Sequence, residues 1–474
     1  MSAPFGRLIG MDFDGAPLYA PKPSHSLLTA SAGSWKTTAG AMTWLLSLVG
    51  DTSRAIVVND CKDGEIAAQA ADMCHRYGRK VAIIDDFGVL GEDNPYRISI
   101  SPFNSLQAAK ERGNGDLIFA AENANHALIP EPADGDQKNL FFRDRPRAIN
   151  EYIESALLKR KVALATPGGV WSMASDPDLL LKAAKIDAEE GDTEEEEDED
   201  AAKEAAELAA LARDVIDMST QEQWGMHRSA AVRALRIYSA GSPLHHAGRG
   251  ATITHSQLLR EKYVVFIVGP QRHMARLGPH YALHLQCFID ALMSDAKGQV
   301  DFILDEATNA PLKALISALT TMRGFGGNCH FIVQSRSELK RAYGENETAT
   351  IEDNAVVKQY FGFSSFEEAE RISRAMGETQ VISKSLGYNT RGLDLSGNIG
   401  TNKDRVFPAE MLMRLPPDEA ITHIKDVGFI HHLKLQQHQT APFCHGELAD
   451  NPHEGPQRSA DPRVTIDISK RAAA

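Results

Sequence analysis

Short apolar runs rich in β-branched residues recur along the chain and alternate with segments of helical periodicity. Runs that are apolar on both faces are typical of strands buried in a parallel sheet. Seven such runs occupy residues 27–29, 55–59, 80–85, 263–268, 301–304, 330–333 and 356–361. Amphipathic helical patterns lie between many of them, for example over residues 37–49, 65–77 and 311–322. The alternation predicts an α/β fold, an open and mainly parallel sheet with helices on both faces.

The middle of the chain has a different pattern. Residues 107–238 contain long helical patterns and no convincing strand; the helical patterns cover 141–158, 178–186, 201–218 and 221–238. We therefore predict an all-α domain, 107–238, inserted between the two parts of one α/β domain, 1–106 and 239–445. The last segment, 446–474, is rich in proline, polar and charged residues, which predicts a disordered tail.

The acidic residues are concentrated in one place. The chain has 474 residues and a net charge of −14, and ten acidic residues fall in the run 189–200. Like charges at this density repel one another, which predicts a solvated acidic loop over 188–201. The alternative is an acidic docking site for a basic partner. Because the rest of the chain is close to charge balance, the net charge neither supports nor excludes DNA binding.

Composition indicates a soluble protein of a reducing compartment. The five cysteines are scattered without a C-x-x-C pair, which argues against a disulfide framework and against a zinc knuckle. No segment approaches the roughly 18–20 uninterrupted apolar residues that a membrane-spanning helix needs. The N-terminus lacks the basic and apolar regions of a signal peptide. We therefore expect a cytoplasmic protein.

A candidate phosphate-binding loop follows the first predicted parallel strand. Such a loop needs small residues whose backbone N–H groups wrap a phosphate, a lysine that reaches the β- and γ-phosphates, and a hydroxyl for Mg²⁺. Lys36 and Thr37 fit the last two roles, and the loop before them is Ala30, Ser31, Ala32, Gly33, Ser34 and Trp35. A glycine is usual where Trp35 stands, so the indole must point away from the nucleotide. The alternative reading is a polar turn that precedes an amphipathic helix.

Polar residues at the ends of two other predicted strands strengthen the nucleotide-site hypothesis. Asp305 and Glu306 end an apolar strand, where an aspartate supports Mg²⁺ and a following glutamate polarises the attacking water. The alternative is that both acids only cap the next helix. Gln334 ends another buried strand and is suited to sense the γ-phosphate. Arg323 lies between those strands beside glycines, where an arginine finger for a neighbouring subunit and a plain surface arginine are both possible.

Several further segments make the chain similar to the TraG/TraD-type coupling proteins of type IV secretion. Residues 60–65, Asp-Cys-Lys-Asp-Gly-Glu, resemble the family's D-P-K-G-E segment with one residue inserted. Residues 102–106 resemble its F-N-P-L segment, 304–307 its L-D-E-F and 333–335 its V-Q-S. The runs 368–377 and 405–411 resemble two further family segments. The resemblance covers about 27–108 and 258–425.

The resemblance implies a RecA-like P-loop nucleotide-binding domain with an inserted all-α domain. It implies ATP and Mg²⁺ as ligands, with phosphate and Mg²⁺ at Lys36 and Thr37, Mg²⁺ support from Asp305 and a catalytic base at Glu306. It also implies Gln334 as the sensor and Arg323 as a trans-acting arginine. The implied assembly is a homo-hexamer at the base of a secretion channel, which receives a relaxase–DNA complex or protein effectors.

Two departures from the family affect these expectations. Trp35 replaces a loop glycine, so an impaired, substrate-docking receptor is an alternative function, as is a coupling ATPase for protein effectors only. The family's N-terminal membrane anchor has no counterpart before Ala30. We therefore expect the protein to reach the cytoplasmic face of the inner membrane through inner-membrane secretion proteins.

Overall fold

A computed structural model describes residues 6–21, 23–132, 140–190, 199–294, 298–309, 311–387, 396–459 and 461–466. The strands are β1 (Leu8–Met11), β2 (Pro17–Tyr19), β3 (Ser26–Thr29), β4 (Arg54–Asp60), β5 (Val81–Ile84), β6 (Arg97–Ile98), β7 (Val264–Val268), β8 (Gln299–Leu304), β9 (Gly327–Val333), β10 (Val357–Tyr360), β11 (Glu378–Gly387), β12 (Ser396–Arg405), β13 (Glu419–Ile424), β14 (Gly428–Leu433), β15 (Thr440–Ala441) and β16 (Val464–Thr465).

The helices alternate with the strands in the first and last parts of the chain and stand alone in the middle. They are α1 (Met42–Leu48), α2 (Glu65–Arg76), α3 (Asn104–Arg112), α4 (Asp116–Leu128), α5 (Leu140–Arg160), α6 (Pro167–Ser175), α7 (Pro177–Glu190), α8 (Glu199–Ser219), α9 (Trp224–Ala234), α10 (His255–Arg260), α11 (Met274–Ser294), α12 (Lys313–Met322), α13 (Arg336–Tyr343), α14 (Glu345–Asn354), α15 (Phe366–Met376) and α16 (Ala409–Leu412).

A twelve-stranded sheet forms the centre of the molecule, in the order β2-β1-β14-β13-β10-β3-β9-β8-β4-β7-β5-β6. The eight strands from β10 to β6 are parallel, and the other four extend the sheet with antiparallel pairs. The α/β class with a mainly parallel sheet is therefore confirmed, and each of the seven predicted strands is present. The antiparallel extension was not predicted, because β13 and β14 mix polar and apolar residues and β1 and β2 are only four and three residues long.

Each central strand buries both faces, because successive side chains point to opposite sides of a sheet. Val57 lies in the core under one face and Val58 in the core under the other. The helices α1 and α2 cover the Val58 face, whereas α11 and α12 cover the Val57 face. Two layers of helices thus cover the two faces of the central strands.

The helical middle of the chain contains α3 to α9, and within the described residues no strand lies between β6 and β7. Its helices pack pairwise, and their apolar side chains join the core on the Val57 face of the sheet. Tyr152 of α5 and Val215 of α8 belong to the same cluster as Val57. The helical segment is thus fastened to the sheet by a shared core. The predicted helix over 221–238 ends at Ala234 and continues as a separate 3₁₀ turn.

Two predicted irregular segments can be compared with the structure. Of the acidic loop, 188–201, residues 191–198 lie outside the described part, while 188–190 and 199–201 belong to α7 and α8. The tail differs from the disordered segment predicted for 446–474. Asn451 is buried and its side-chain amide donates to Glu65 at 2.9 Å, and β16 pairs in parallel with β15. The tail therefore makes specific contacts as far as Ile466. Residues 467–474 lie outside the described part.

None of the helices in the described part of the chain has the length and apolar character that crossing a membrane requires.

Candidate functional site

Four adjacent strands bring the predicted site residues to one edge of the sheet. The strands β3, β9, β8 and β4 are neighbours and parallel, so their carboxyl ends meet. The candidate phosphate-binding loop follows β3, Gln334 follows β9, and Asp305 and Glu306 follow β8. The carboxyl edge of a parallel sheet is where α/β folds bind ligands.

The loop from Ala30 to Thr37 forms a tight turn between β3 and the helix that follows. The Ala30 N–H donates to Val333 of β9 at 3.0 Å, and the Ser34 N–H donates to Ser31 at 3.2 Å. Gly33 and Trp35 both have positive φ, 74° and 65°. The tip, Ala32 and Gly33, is exposed, whereas Thr37 is buried. The tip of the loop is therefore open to solvent, whereas Thr37 lies inside the protein.

The helix after the loop begins as a π-helical segment, Lys36–Ala41, before it becomes α1. Wide turns of this kind are frequent at functional sites. Gly40 lies in this segment, and a Cβ at that position would come within 2.6 Å of Leu28 of β3. The glycine thus lets the helix approach the strand closely, which holds Lys36 and Thr37 over the strand ends.

Trp35 lies on the side of the loop that faces Lys434. The Lys434 ammonium is 5.6 Å from the centre of the indole ring and 4.9 Å from that of Phe361. The indole also packs against the core under the Val58 face of the sheet. The indole thus points towards Lys434 and the core, and not towards the side chains of Lys36 and Thr37. It does so because the left-handed backbone conformation, usual for glycine, is adopted here by a tryptophan.

The charged side chains of the site pair across the strand ends. The Lys36 ammonium forms an ion pair with Glu306, and the Thr37 hydroxyl donates to Asp305 at 3.1 Å. The Gln334 amide donates to Glu306 at 3.4 Å. Five residues predicted from three separate segments therefore form one hydrogen-bonded cluster.

Lys62 completes the cluster. It follows β4, and its ammonium donates to the Thr37 hydroxyl at 3.0 Å. The same ammonium lies 3.7 Å from Asp305 and 3.6 Å from Glu306. The positive charges of Lys36 and Lys62 thus lie next to the two carboxyl groups of Asp305 and Glu306. Lys62 belongs to a segment that resembles the family, but no role was predicted for it. The available signal was a charged residue shortly after a buried strand.

The two carboxyl groups differ in proton affinity. Burial raises the pKa of Asp305; Lys62 opposes that shift, and the neighbouring Glu306 adds to it. Burial alone would also raise the pKa of Glu306, but Lys36 and Lys62 outweigh it, so the pKa of Glu306 is lowered. Glu306 therefore stays a carboxylate at neutral pH, as an acceptor of a proton must be.

The residues present fit a nucleotide with Mg²⁺. The Oδ1 atom of Asp305 is buried and accepts no hydrogen bond, while Oδ2 accepts from Thr37. An orphaned carboxylate oxygen beside a hydroxyl supplies the hard oxygen ligands that Mg²⁺ prefers. Lys36 and the loop N–H groups would hold the phosphates. Thr37 and Asp305 are thus the residues that would hold the metal ion.

Arg323 does not join this cluster. It is exposed, and it precedes the amino end of β9, which is seven residues long. At about 3.3 Å per residue, that places it roughly 20 Å from the carboxyl edge. Burial lowers the pKa of His25, and the charge of Arg323 adds to that shift. His25 lies just before the amino end of β3. Arg323 therefore lies too far away to contact the cluster of its own chain.

A second buried lysine supports the loop. Lys434 follows β14, is 2 % exposed, and donates to the backbone carbonyls of Phe361 and Pro417, both at 2.9 Å. It also donates to Ser34 at 3.5 Å. Burial lowers the pKa of Lys434 to about 8. The sequence does not mark this residue, because only the antiparallel extension of the sheet carries it to the loop.

Comparison with protein families gives one match that covers most of the chain. A family model described as type IV secretory system conjugative DNA transfer matches residues 5–443. The VirD4 protein of Rhizobium radiobacter is 28% identical over 138 residues, 28% of this chain and 20% of that protein. The conjugal transfer protein TraG of Escherichia coli is 25% identical over 231 residues, 45% of this chain and 35% of that protein. The matches thus span only about a fifth to a third of these relatives.

Solved structures share the fold. The bacterial conjugative coupling protein TrwBdeltaN70 in its unbound monoclinic form has a TM-score of 0.66 at 15% identity, over 90% of this chain and 89% of that chain. The plasmid coupling protein TrwB in complex with ADP and Mg²⁺ has a TM-score of 0.62, also at 15% identity, with the same coverage. At this identity the likeness establishes the architecture, and the roles of individual residues rest on the geometry above.

Proposed function

This chain belongs to the type IV secretory system conjugative DNA transfer family of coupling proteins, and from that membership we propose that it is an ATP-driven motor for DNA transfer. It would bind ATP and Mg²⁺ at the carboxyl edge of the sheet and move a DNA or nucleoprotein substrate into a secretion channel. The observation that carries the proposal is the convergence of Lys36, Thr37, Asp305, Glu306 and Gln334 from three strand ends.

Binding of the phosphates falls to the loop and its lysine. The N–H groups of the loop and the amino end of the following helix carry partial positive charge, which favours an anion. Lys36 sits where this anion would lie and exchanges its pairing with Glu306 for the phosphates. Lys62 stays beside Thr37 and Asp305 and adds positive charge on the opposite side.

Hydrolysis falls to Glu306 and Gln334. Once Lys36 turns to the phosphates, the Glu306 carboxylate is free to orient a water and accept its proton. Gln334 donates to that carboxylate and senses the group that Glu306 faces. Mg²⁺, when bound, neutralises charge that builds up on the phosphate oxygens.

A ring of subunits would complete the site. Arg323 lies about a strand length away from its own Lys36, so its use as an arginine finger requires a neighbouring subunit. This requirement, together with the hexamer that the family resemblance implies, leads us to propose a homo-hexamer. The proposed partners are a relaxase–DNA complex and inner-membrane proteins of the secretion system. Recruitment by those proteins would bring the chain to the cytoplasmic face of the inner membrane.

A contact with DNA is proposed for the loop after β7. Arg272 lies in the turn after β7 and Arg276 in the first turn of α11, and both are exposed. Guanidinium groups of this kind bind phosphate backbones without reading sequence. The backbone N–H of the neighbouring Gln271 donates to Asp63 at 3.1 Å. Asp63 is the residue after Lys62, so this contact ties the proposed DNA-binding loop to the segment that carries Lys62.

The test is ATP hydrolysis by the purified chain, with and without single- and double-stranded DNA, beside a Lys36→Ala variant. The expected result is DNA-stimulated turnover that Lys36→Ala removes. Turnover without DNA stimulation would favour a coupling ATPase for protein effectors. Absence of both turnover and nucleotide binding would overturn the motor and favour the substrate-docking receptor.

A further inference from the structure

A second cluster of ionisable side chains lies apart from the nucleotide site, where the helical segment meets the sheet. Asp86 follows β5, and His280 and His284 lie four residues apart on α11, so both imidazoles share one face of that helix. The Asp86 Oδ2 atom is 3.1 Å from His280 Nε2 and 3.9 Å from His284 Nε2. One ligand atom from each residue lies within 4.8 Å of the others.

A chain of hydrogen bonds determines which nitrogen of His284 carries its proton. The backbone N–H of His255 donates to Asn104 Oδ1 at 3.0 Å, which identifies that atom as the amide oxygen. His255 Nδ1 lies 3.3 Å from the same oxygen and must therefore donate to it. A neutral His255 then offers the lone pair of Nε2 to its next neighbour.

That neighbour is His284 Nδ1, 3.1 Å from His255 Nε2. Both rings are fully buried, and a second proton on either would place a cation in the core at high cost. His284 Nδ1 must therefore donate, and its Nε2 atom carries a lone pair. This Nε2 atom is buried without a hydrogen-bond partner, and it faces the Asp86 carboxylate.

The lone pair of His284 Nε2 and the Asp86 carboxylate thus face each other in a buried place, with no proton between them. Such an arrangement is costly unless a cation lies between the atoms. We infer that Asp86, His280 and His284 bind a divalent transition-metal ion, with Zn²⁺ as the best-suited ion. Two imidazoles and one carboxylate form a ligand set for Zn²⁺, whose bonds of about 2.0–2.2 Å place neighbouring ligand atoms roughly 3.3 Å apart.

The surroundings support this ligand set. Tyr238 Oη lies 3.2 Å from His280 Nδ1, so it can accept the proton of that nitrogen while Nε2 binds the ion. His255 does the same for His284. Asp86 also lines an open cavity of about 370 Å³ with Arg97 and His246. The cavity offers the ion a path of entry and a place for a water ligand.

The ion would have a structural role. Asp86 belongs to the sheet, the two histidines to α11, and Tyr238 to the last turn of the helical segment. A single metal centre would join these three parts more firmly than the hydrogen bonds of His280 to Asp86 and to Tyr238 do. This inference does not depend on the proposed motor function.

The test uses the full chain purified without a histidine tag. Its metal content is measured by mass spectrometry, and chelator-treated protein is titrated with Zn²⁺ and with Co²⁺, whose visible spectrum reports ligand geometry. We expect one equivalent of bound ion and a higher melting temperature with Zn²⁺. The double variant His280→Ala/His284→Ala should lose binding, whereas Tyr238→Phe should weaken it about tenfold.

His431→Ala is the matched control, because His431 also pairs with a carboxylate, Glu419, yet lies at the surface. It should bind Zn²⁺ like the wild type. Equal affinity of the double variant and the wild type would overturn the inference. The inference would also be overturned if neither Zn²⁺ nor Co²⁺ changed the melting temperature or the spectrum of the wild-type protein. This second outcome can be measured even if the double variant does not fold.

Discussion

Lys36 and Glu306 form an ion pair that joins the phosphate-binding loop to the end of a strand two places away in the sheet. Glu306 holds φ at 56°, which is uncommon for a residue with a Cβ. Such conformations persist where surrounding contacts hold them and cluster at active sites. The pair therefore keeps the proposed base and the proposed phosphate ligand together, each neutralising the other.

Replacing Glu306 by Gln is expected to separate binding from hydrolysis. Glutamine keeps the size of the side chain but cannot accept a proton, so kcat should fall on the order of 10²- to 10⁴-fold. Nucleotide affinity should hold or rise, because Lys36 loses its carboxylate partner. Calorimetry with a non-hydrolysable ATP analogue and steady-state kinetics measure the two effects. An unchanged kcat would remove Glu306 from the proposed chemistry.

Lys62 is expected to contribute directly to the nucleotide site. Lys62→Met removes the ammonium that Thr37, Asp305 and Glu306 share, and a charged hydrogen bond is worth about 1.5–3 kcal/mol. The value of kcat/KM should therefore fall about 10- to 100-fold. Lys80→Met is the control, since Lys80 pairs with Glu261 and lies over the Tyr263 ring at the surface, away from the cluster. Equal losses in both variants would show a general charge effect.

Trp35→Gly should leave ATP affinity within about threefold of the wild type, because glycine adopts the same positive φ without cost. The variant loses the contacts of the indole with Lys434 and the core, so its melting temperature should fall. Affinity is measured by titration and stability by thermal unfolding. An increase in affinity of tenfold or more would show that Trp35 obstructs the loop and would favour the substrate-docking receptor.

Lys434 is expected to make stability depend on pH. Its pKa is about 8 in the folded protein and about 10.5 when unfolded, so folding releases a proton between those values. Wild-type stability relative to Lys434→Met should therefore rise as pH increases from about 8 towards 10.5. At pH 7 the variant should be less stable by about 2 kcal/mol, because buried carbonyls lose their donor. A stability difference that does not vary from pH 7 to 10 would contradict the role of this buried ammonium.

Arg323 is expected to act on a neighbouring subunit. Arg323→Ala and Glu306→Gln should each be nearly inactive, since an arginine finger is worth about 10³–10⁵ in kcat. When the two variants are mixed in equal amounts, about a quarter of the subunit interfaces pair the intact Arg323 of one subunit with the intact Glu306 of its neighbour. About a quarter of the wild-type activity should therefore return. A mixture as inactive as its components would exclude a trans-acting Arg323.

Much of the site could be read from local sequence. The strand before the loop, the small residues of the loop and the acids at the end of β8 are properties of short segments, and so are the alternating apolar runs. These features depend on the period of side-chain direction and on the chemistry of neighbouring residues, which a sequence displays directly. They were enough to determine the α/β class and five of the residues that converge.

The tertiary structure decided what lies beside those residues. Strand order places β4 next to β8, which brings Lys62 to Asp305, and the antiparallel extension brings Lys434 to Ser34. The same order leaves Arg323 at the opposite edge and joins Asp86 to two histidines almost 200 positions away. Contacts of this kind arise from packing a whole sheet between its helices, where burial of both faces selects one strand order. No local period or short motif reports that selection.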